Sequence, residues 1–288
     1  MRRKRSGPFV LWLVPILGLL FVFALGPILA SFVLSFFDYD FGTTPELVGL
    51  VNYVEAYHDP VLRTALRNIL VYTVLSVPVE MMIALLIAQL VNGAPRFRAI
   101  FRVGYFLPVM TPAVAAAAVW KFVYQPQFGL LSGLLARFDL PTPNWLNSSA
   151  WVIPALSVVW IWGDMGYNVV LFLAGLLGVP RQLIDAAKID GANGWQVFWH
   201  VAFPLLGRTT MFAMTTTTIA ALQLFNQPHV MTGGGPEDAS RTPVMYVYEQ
   251  GFYWLRMGYA SAVAYVLFVV VMVVILVQLR LMRTEWNY

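Results

Sequence analysis

Seven polar side chains interrupt the apolar runs of this sequence. Glu80 lies in SVPVEMMIALL, and Asp164, Tyr167 and Asn168 lie in WIWGDMGYNVVLF. Gln223, Asn226 and Gln227 close a run that opens with Thr215, Thr216, Thr217 and Thr218. Amides donate and accept hydrogen bonds at once, which suits a hydroxylated ligand without demanding one ligand charge. A carboxyl at the centre of a bilayer costs about 2.5–3.5 kcal/mol on insertion scales, so Glu80 and Asp164 must face a partner helix or a cavity. Two readings stand for each: a buried packing hydrogen bond, or the polar lining of a path. The threonines carry the same pair of readings, because a Thr hydroxyl can also return to its own helix. Nucleophilic and metal chemistry are not indicated. There is no cysteine, and His58, His200 and His229 are scattered without metal-ligand spacing. No GxSxG elbow or GxxxxGK[ST] phosphate loop occurs, and MTGGGP (residues 231–236) has the glycines without the Lys-Ser/Thr. The chain is therefore expected to be no enzyme and to hold no metal or cofactor of its own. Energy for uphill movement must come from an ion gradient or another chain.

The elements that position these groups are transmembrane helices. Of 288 residues 59% are hydrophobic and 11% charged, far from the balance of a soluble domain. Six apolar runs reach the roughly 20 residues a spanning helix needs: about 9–35, 68–91, 103–124, 150–177, 209–230 and 259–281. They are continuous rather than alternating, which selects helices over a barrel. The expected fold is all-α, a polytopic membrane protein with six spans forming one domain over residues 1–288. Bases cluster on alternate loops: Arg2, Arg3, Lys4 and Arg5; Arg96, Arg98 and Arg102; Arg181, Lys188 and Arg208; Arg280 and Arg283. The positive-inside rule places these loops and both termini in the cytoplasm. The first apolar run exceeds a signal-peptide core of about 7–15 residues, so it reads as an uncleaved span. The bases are topogenic, and nothing points to nucleic acid. Outer aromatics such as Tyr53, Tyr57, Trp145, Tyr253 and Trp254 fit an interfacial belt.

Between the fourth and fifth runs, residues 180–206 form a polar cytoplasmic segment. Pro180 suits the first turn of a short helix, Gly191 ends it, and Asn193 can cap a second one. In that second helix Trp195, Phe198, Trp199 and Ala202 follow i, i+3, i+4, i+7, an amphipathic face for the membrane surface. The bland reading is an interfacial connector. The small residues at the turn also suit close docking in a partner's groove.

The stretch DAAKIDGANGWQVFWHVAFPLL resembles the EAA loop of binding-protein-dependent ABC importer permeases, whose pattern is roughly EAA, three residues, G, nine residues, then I-x-LP. Asp185, Ala186 and Ala187 stand for EAA, Asp190, Gly191 and Ala192 for the turn, and VAFPLL for the end. FNQPHVMTGGGP and YEQGFYWLRMGYASAVAYVLFVVV resemble the carbohydrate-uptake branch. The resemblance runs from about Ala99 onward. It implies a six-span type I importer permease in a bacterial-type plasma or inner membrane, paired with a second permease, most simply as a heterodimer. It further implies two cytoplasmic ATPase subunits holding ATP and Mg, and an extracytoplasmic substrate-binding protein. Residues 185–187 and 190–192 would form the coupling loop that docks on the ATPase, with Asp185 one methylene shorter than the family's Glu. The competing reading is an ion-coupled secondary transporter with Glu80 or Asp164 as coupling site; an intramembrane enzyme or scaffold is a further rival.

Overall fold

The structure, a computed structural model, describes residues 7–40, 42–93 and 98–282. The topogenic bases Arg2, Arg3, Lys4, Arg5, Arg96 and Arg283 lie outside the described residues. The chain is helical apart from one small hairpin. In order it forms α1 (Leu13–Leu34), β1 (Phe37–Asp38), β2 (Glu46–Leu47), α2 (Val51–His58) and α3 (Pro60–Gly93). Then come α4 (Arg98–Phe106), α5 (Ala113–Val123), α6 (Leu130–Ala136), α7 (Val152–Leu177), α8 (Arg181–Ile189) and α9 (Gly194–Val197). The last are α10 (Gly207–Leu222), α11 (Asn226–Met231), α12 (Pro243–Tyr248) and α13 (Met257–Leu281). Strands β1 and β2 pair antiparallel with Phe37 opposite Leu47.

Among the described residues four helices, α1, α3, α7 and α13, are long and apolar enough to cross a bilayer. Their starts and ends follow local chemistry. Asp59 accepts from the backbone N–H of Val61 at 2.8 Å and of Leu62 at 3.2 Å, and Pro60 supplies a first position that needs no N–H. Pro78 does not break α3, which runs through it for 34 residues.

The expected third and fifth spans are each interrupted. Over 103–124 the chain leaves α4, makes a short turn at Pro108–Met110, and begins α5 only at Ala113. Pro108 has no N–H to continue a helix, and Pro112 forces Thr111 to an extended ψ of 127°. Over 209–230, α10 stops at Leu222 and α11 starts at Asn226. Pro228 cannot donate to the Leu224 carbonyl, and the Thr242 hydroxyl takes that acceptor instead at 2.7 Å.

Contacts gather the chain into two units, each of which has its own interior. In the unit of residues 1–62 and 246–268, Asn52 donates to the carbonyls of Ser35 and Phe37 at 3.0 and 2.9 Å. Asp59 receives the hydroxyls of Tyr246 and Tyr259, each at 2.5 Å. Arg256 pairs with Glu55 at 2.7 Å and lies 4.6 Å from the Tyr259 ring centre. Within this unit Tyr265 donates to the Ile28 carbonyl at 2.5 Å, yet α1 buries none of its residues. The unit of residues 63–245 and 269–288 holds the main hydrophobic core, built on side chains such as Ile69, Leu156, Phe172, Leu206 and Leu222. The loop after α11 is stapled. Asn68 donates to the carbonyls of Asp238 and Arg241, and Thr232 and Ser240 share a 2.7 Å hydrogen bond.

Candidate functional site

The two interrupted spans meet at one recess. Between the α4–α5 break and α7 lies a cavity of about 190 Å³ whose polar lining comes from Thr111, Trp160, Trp162, Asp164 and Gln227. The breaks explain the placement. Thr111 is in the extended link of the third span, and Gln227 is in the first turn of α11. Trp160, Gly163 and Asp164 share one face of α7 at i, i+3, i+4. Helical chains interrupted at membrane depth are tolerated where they line a cavity or are buried in protein.

Behind the recess sits a closed polar cluster. Glu80 of α3 and Asn168 of α7 are both fully buried. Asn168 Nδ2 donates to Glu80 Oε1 at 2.6 Å and to Thr217 Oγ1 of α10 at 2.9 Å. Trp160 Nε1 donates to Glu80 Oε2 at 2.8 Å, and the Asp164 carboxyl is in hydrogen-bond contact with Glu80. Three helices are thereby tied through one amide, that of Asn168. Each partner replaces a water that lipid cannot supply, which answers the cost of placing an acid there.

The seven polar residues singled out in the sequence thus separate into three groups. Asp164 and Gln227 line the recess. Glu80 and Asn168 are enclosed behind it. Tyr167, Gln223 and Asn226 are exposed and outside its lining. Thr215 and Thr216 return their hydroxyls to the carbonyls of Met211 and Phe212 on their own helix. Thr111, Trp160 and Trp162 do not stand out in the sequence as site residues. The signals that point to them are the Pro108–Pro112 spacing, which marks a break, and the shared helical face with Asp164.

The segment 180–206 folds as two helices around a tight turn. Helix α8 begins at Arg181, one residue after Pro180. It ends with Gly191 at φ +86°, where Gly191 N–H reaches the Lys188 carbonyl at 3.0 Å and Ala192 N–H reaches the Ala187 carbonyl at 2.9 Å. This pair of bonds is a Schellman ending, which glycine makes without strain. Asn193 then caps α9 reciprocally with Gln196, each bond 2.9 Å. Asp185, Ala186, Asp190 and Gly191 are exposed, and Ala187 and Ala192 are half-buried. A hollow of about 300 Å³ opens here, lined by Ala187, Asp190, Gly191, Ala192 and Gln196 among others.

The expected amphipathic face needs correction. Val197, Phe198 and Ala202 are buried, while Trp195 and Trp199 are exposed. Residues 198–202 wind as a π-helix, and Trp195 and Trp199 keep one exposed face together, their ring centres 5.5 Å apart.

Apolar helices long enough to span a bilayer, a small polar recess and an exposed helical hairpin are the features of a membrane transport component. The chain belongs to the binding-protein-dependent transport system inner membrane component family, whose model matches residues 47–283. It is 34% identical over 280 residues, 95% of each chain, to the probable ABC transporter permease protein YurN of Bacillus subtilis. It is 33% identical to the arabinooligosaccharides transport system permease protein AraP of the same organism, over 96% of this chain and 89% of that one. Its fold matches a chain of a bacterial ABC transporter involved in the import of the acidic polysaccharide alginate, with a TM-score of 0.78 over 99% of this chain and 98% of the other at 20% identity. The chain is thus an ABC importer permease of the inner membrane, with the type I permease fold.

Proposed function

We propose that this permease carries a carbohydrate, a sugar, oligosaccharide or related polyol, across the membrane through the recess at Asp164 and Gln227. The observation that carries the reading is the recess lining itself. A carboxyl, an amide and a hydroxyl offer donors and acceptors to ligand hydroxyls, and two indoles offer faces for a pyranose or furanose ring. The AraP similarity supports the same substrate class.

In this reading both termini and the hairpin at Gly191 face the cytoplasm. The hairpin docks through Asp185–Ala187 and Asp190–Ala192 on an ATPase subunit, which binds ATP and Mg. A second permease completes the pathway, a second ATPase subunit completes the motor, and an extracytoplasmic binding protein delivers the substrate. ATP-driven closure of the motor moves α8 and α9, and with them α7, so that the recess opens alternately to each side. An ion-coupled cycle through Glu80 fits less well, because Trp160 and Asn168 already engage both of its carboxylate oxygens.

The test is mass spectrometry of what copurifies with a tagged copy extracted in mild detergent, together with sugar uptake by the same cells. Recovery of an ATPase and a second permease, with uptake abolished on deleting either, is the expected outcome. A chain that purifies alone while uptake persists would overturn the reading.

A further inference from the structure

We infer that the recess selects against anionic sugars, and that Asp164, held in place by Glu80, is the selecting residue. The inference deepens the carbohydrate reading and rests on it. The recess lining contains no Lys, Arg or His, and Asp164 is its one ionisable side chain. Lys121 is not among the residues of that lining and donates to the Val230 carbonyl at 3.3 Å. Directly behind Asp164, Glu80 receives N–H donors on both carboxylate oxygens, from Asn168 at 2.6 Å and Trp160 at 2.8 Å. Its further contact, with Asp164, is made through a shared proton, because two carboxyls meet in a hydrogen bond only when one of them is protonated. The pair therefore brings a single negative charge to the recess, whose walls include Val109, Ala116 and Val159, which screen little.

A neutral glycoside meets acceptors and donors here. A uronic acid, sugar phosphate or sulfonate meets a like charge with no cation to offset it, and like-charge juxtaposition in a dry contact is strongly disfavoured. Glu80 is a positioning residue in this scheme. It touches Trp160 and Asp164, both of which line the recess, while having no exposed surface of its own.

The experiment uses the assembled transporter in detergent and saturation-transfer NMR with a panel of matched glycosides and uronides, each pair differing only in CH2OH against carboxylate. The expected result is preference for the neutral member by about tenfold or more in wild type, falling to within about twofold in Asp164→Asn. Gln227→Lys, across the recess, is expected to reverse the preference, and it keeps the test open if Asp164→Asn does not assemble. Equal contact of both members with wild type overturns the selectivity, as does undiminished discrimination in Asp164→Asn. If no member of any pair contacts wild type while its ATPase remains active, the carbohydrate reading itself is lost and this inference with it.

Discussion

Asn168 and Glu80 stand 2.6 Å apart, nitrogen to oxygen, and neither has any exposed surface. The amide bridges α7 to α3, and through Thr217 to α10. Replacing Asn168 by Leu removes both bonds and leaves a carboxylate oxygen without that donor. Leaving a buried acceptor without its donor costs roughly 1–3 kcal/mol. Asn168→Leu is expected to lower the thermal midpoint of the detergent-extracted protein by several degrees. Thr217→Val, which removes only the acceptor, should lower it less. Equal midpoints for wild type and Asn168→Leu would show that the cluster contributes no net stability.

Gly191 occupies the left-handed region with no atom within 4 Å of where a Cβ would project. The penalty of substitution is therefore conformational, about 1–2 kcal/mol for an L-residue, and no packing penalty is added. Gly191→Asp should leave membrane insertion intact and reduce recovery of the ATPase by tenfold or more in copurification. Asn, which tolerates this conformation better, should retain more ATPase than Asp does. Unchanged ATPase recovery with Gly191→Asp would remove the turn from the coupling contact.

Asp59 tests a different part of the chain. Burial pushes its carboxyl up, but the hydroxyls of Tyr246 and Tyr259 and the N–H groups of Leu62 and Val61 together hold it below its ordinary value of 3.8. Burial and the same hydrogen bond push the Tyr246 hydroxyl up to about 12. A depressed carboxyl contributes stability that is fully present above its unfolded value and is lost as pH falls through its folded value. The stability gap between wild type and Asp59→Asn should accordingly be constant from pH 6 to 8 and shrink only below about pH 4. A gap that widens on acidification would contradict the assignment.

Gly166 faces the Tyr105 backbone so closely that an added Cβ would collide with that carbonyl oxygen and crowd the Val109 side chain. Overpacking of this kind costs typically 1–3 kcal/mol, and backbone cannot yield as a side chain can. Gly166→Ala is expected to lower the yield of folded protein in fluorescence-detected size exclusion, whereas Gly163→Ala, with open space around it, should not.

Gly191 and Asn193 are legible in the sequence because a turn is a local problem, settled by residues within a few positions of each other. The split between Asp164 and Glu80 is not, since both lie mid-span and only neighbouring helices decide which one meets open space. The breaks at Pro108–Pro112 and Gln223–Phe225 are hidden for another reason. Runs of 22 apolar residues look continuous to hydropathy, although each contains the prolines or amides that end a helix. Phe198 and Ala202 are buried while Trp195 and Trp199 are exposed, a division set by packing against other elements that FWHVA alone does not announce.

The interrupted third span also has a mechanical meaning. Its first half, α4, packs against α7, while its second half, α5, packs chiefly against α11. Between them run a short turn, one extended residue and two prolines. A straight helix would carry displacement from one end to the other as a strut does. This one is an elbow, with its forearm fastened to the helix that leads to the hairpin and its upper arm fastened to the far wall of the recess. In the proposed cycle, a push arriving along α7 would be taken up by bending at Leu107–Pro112 beside Asp164 rather than by sliding the whole span.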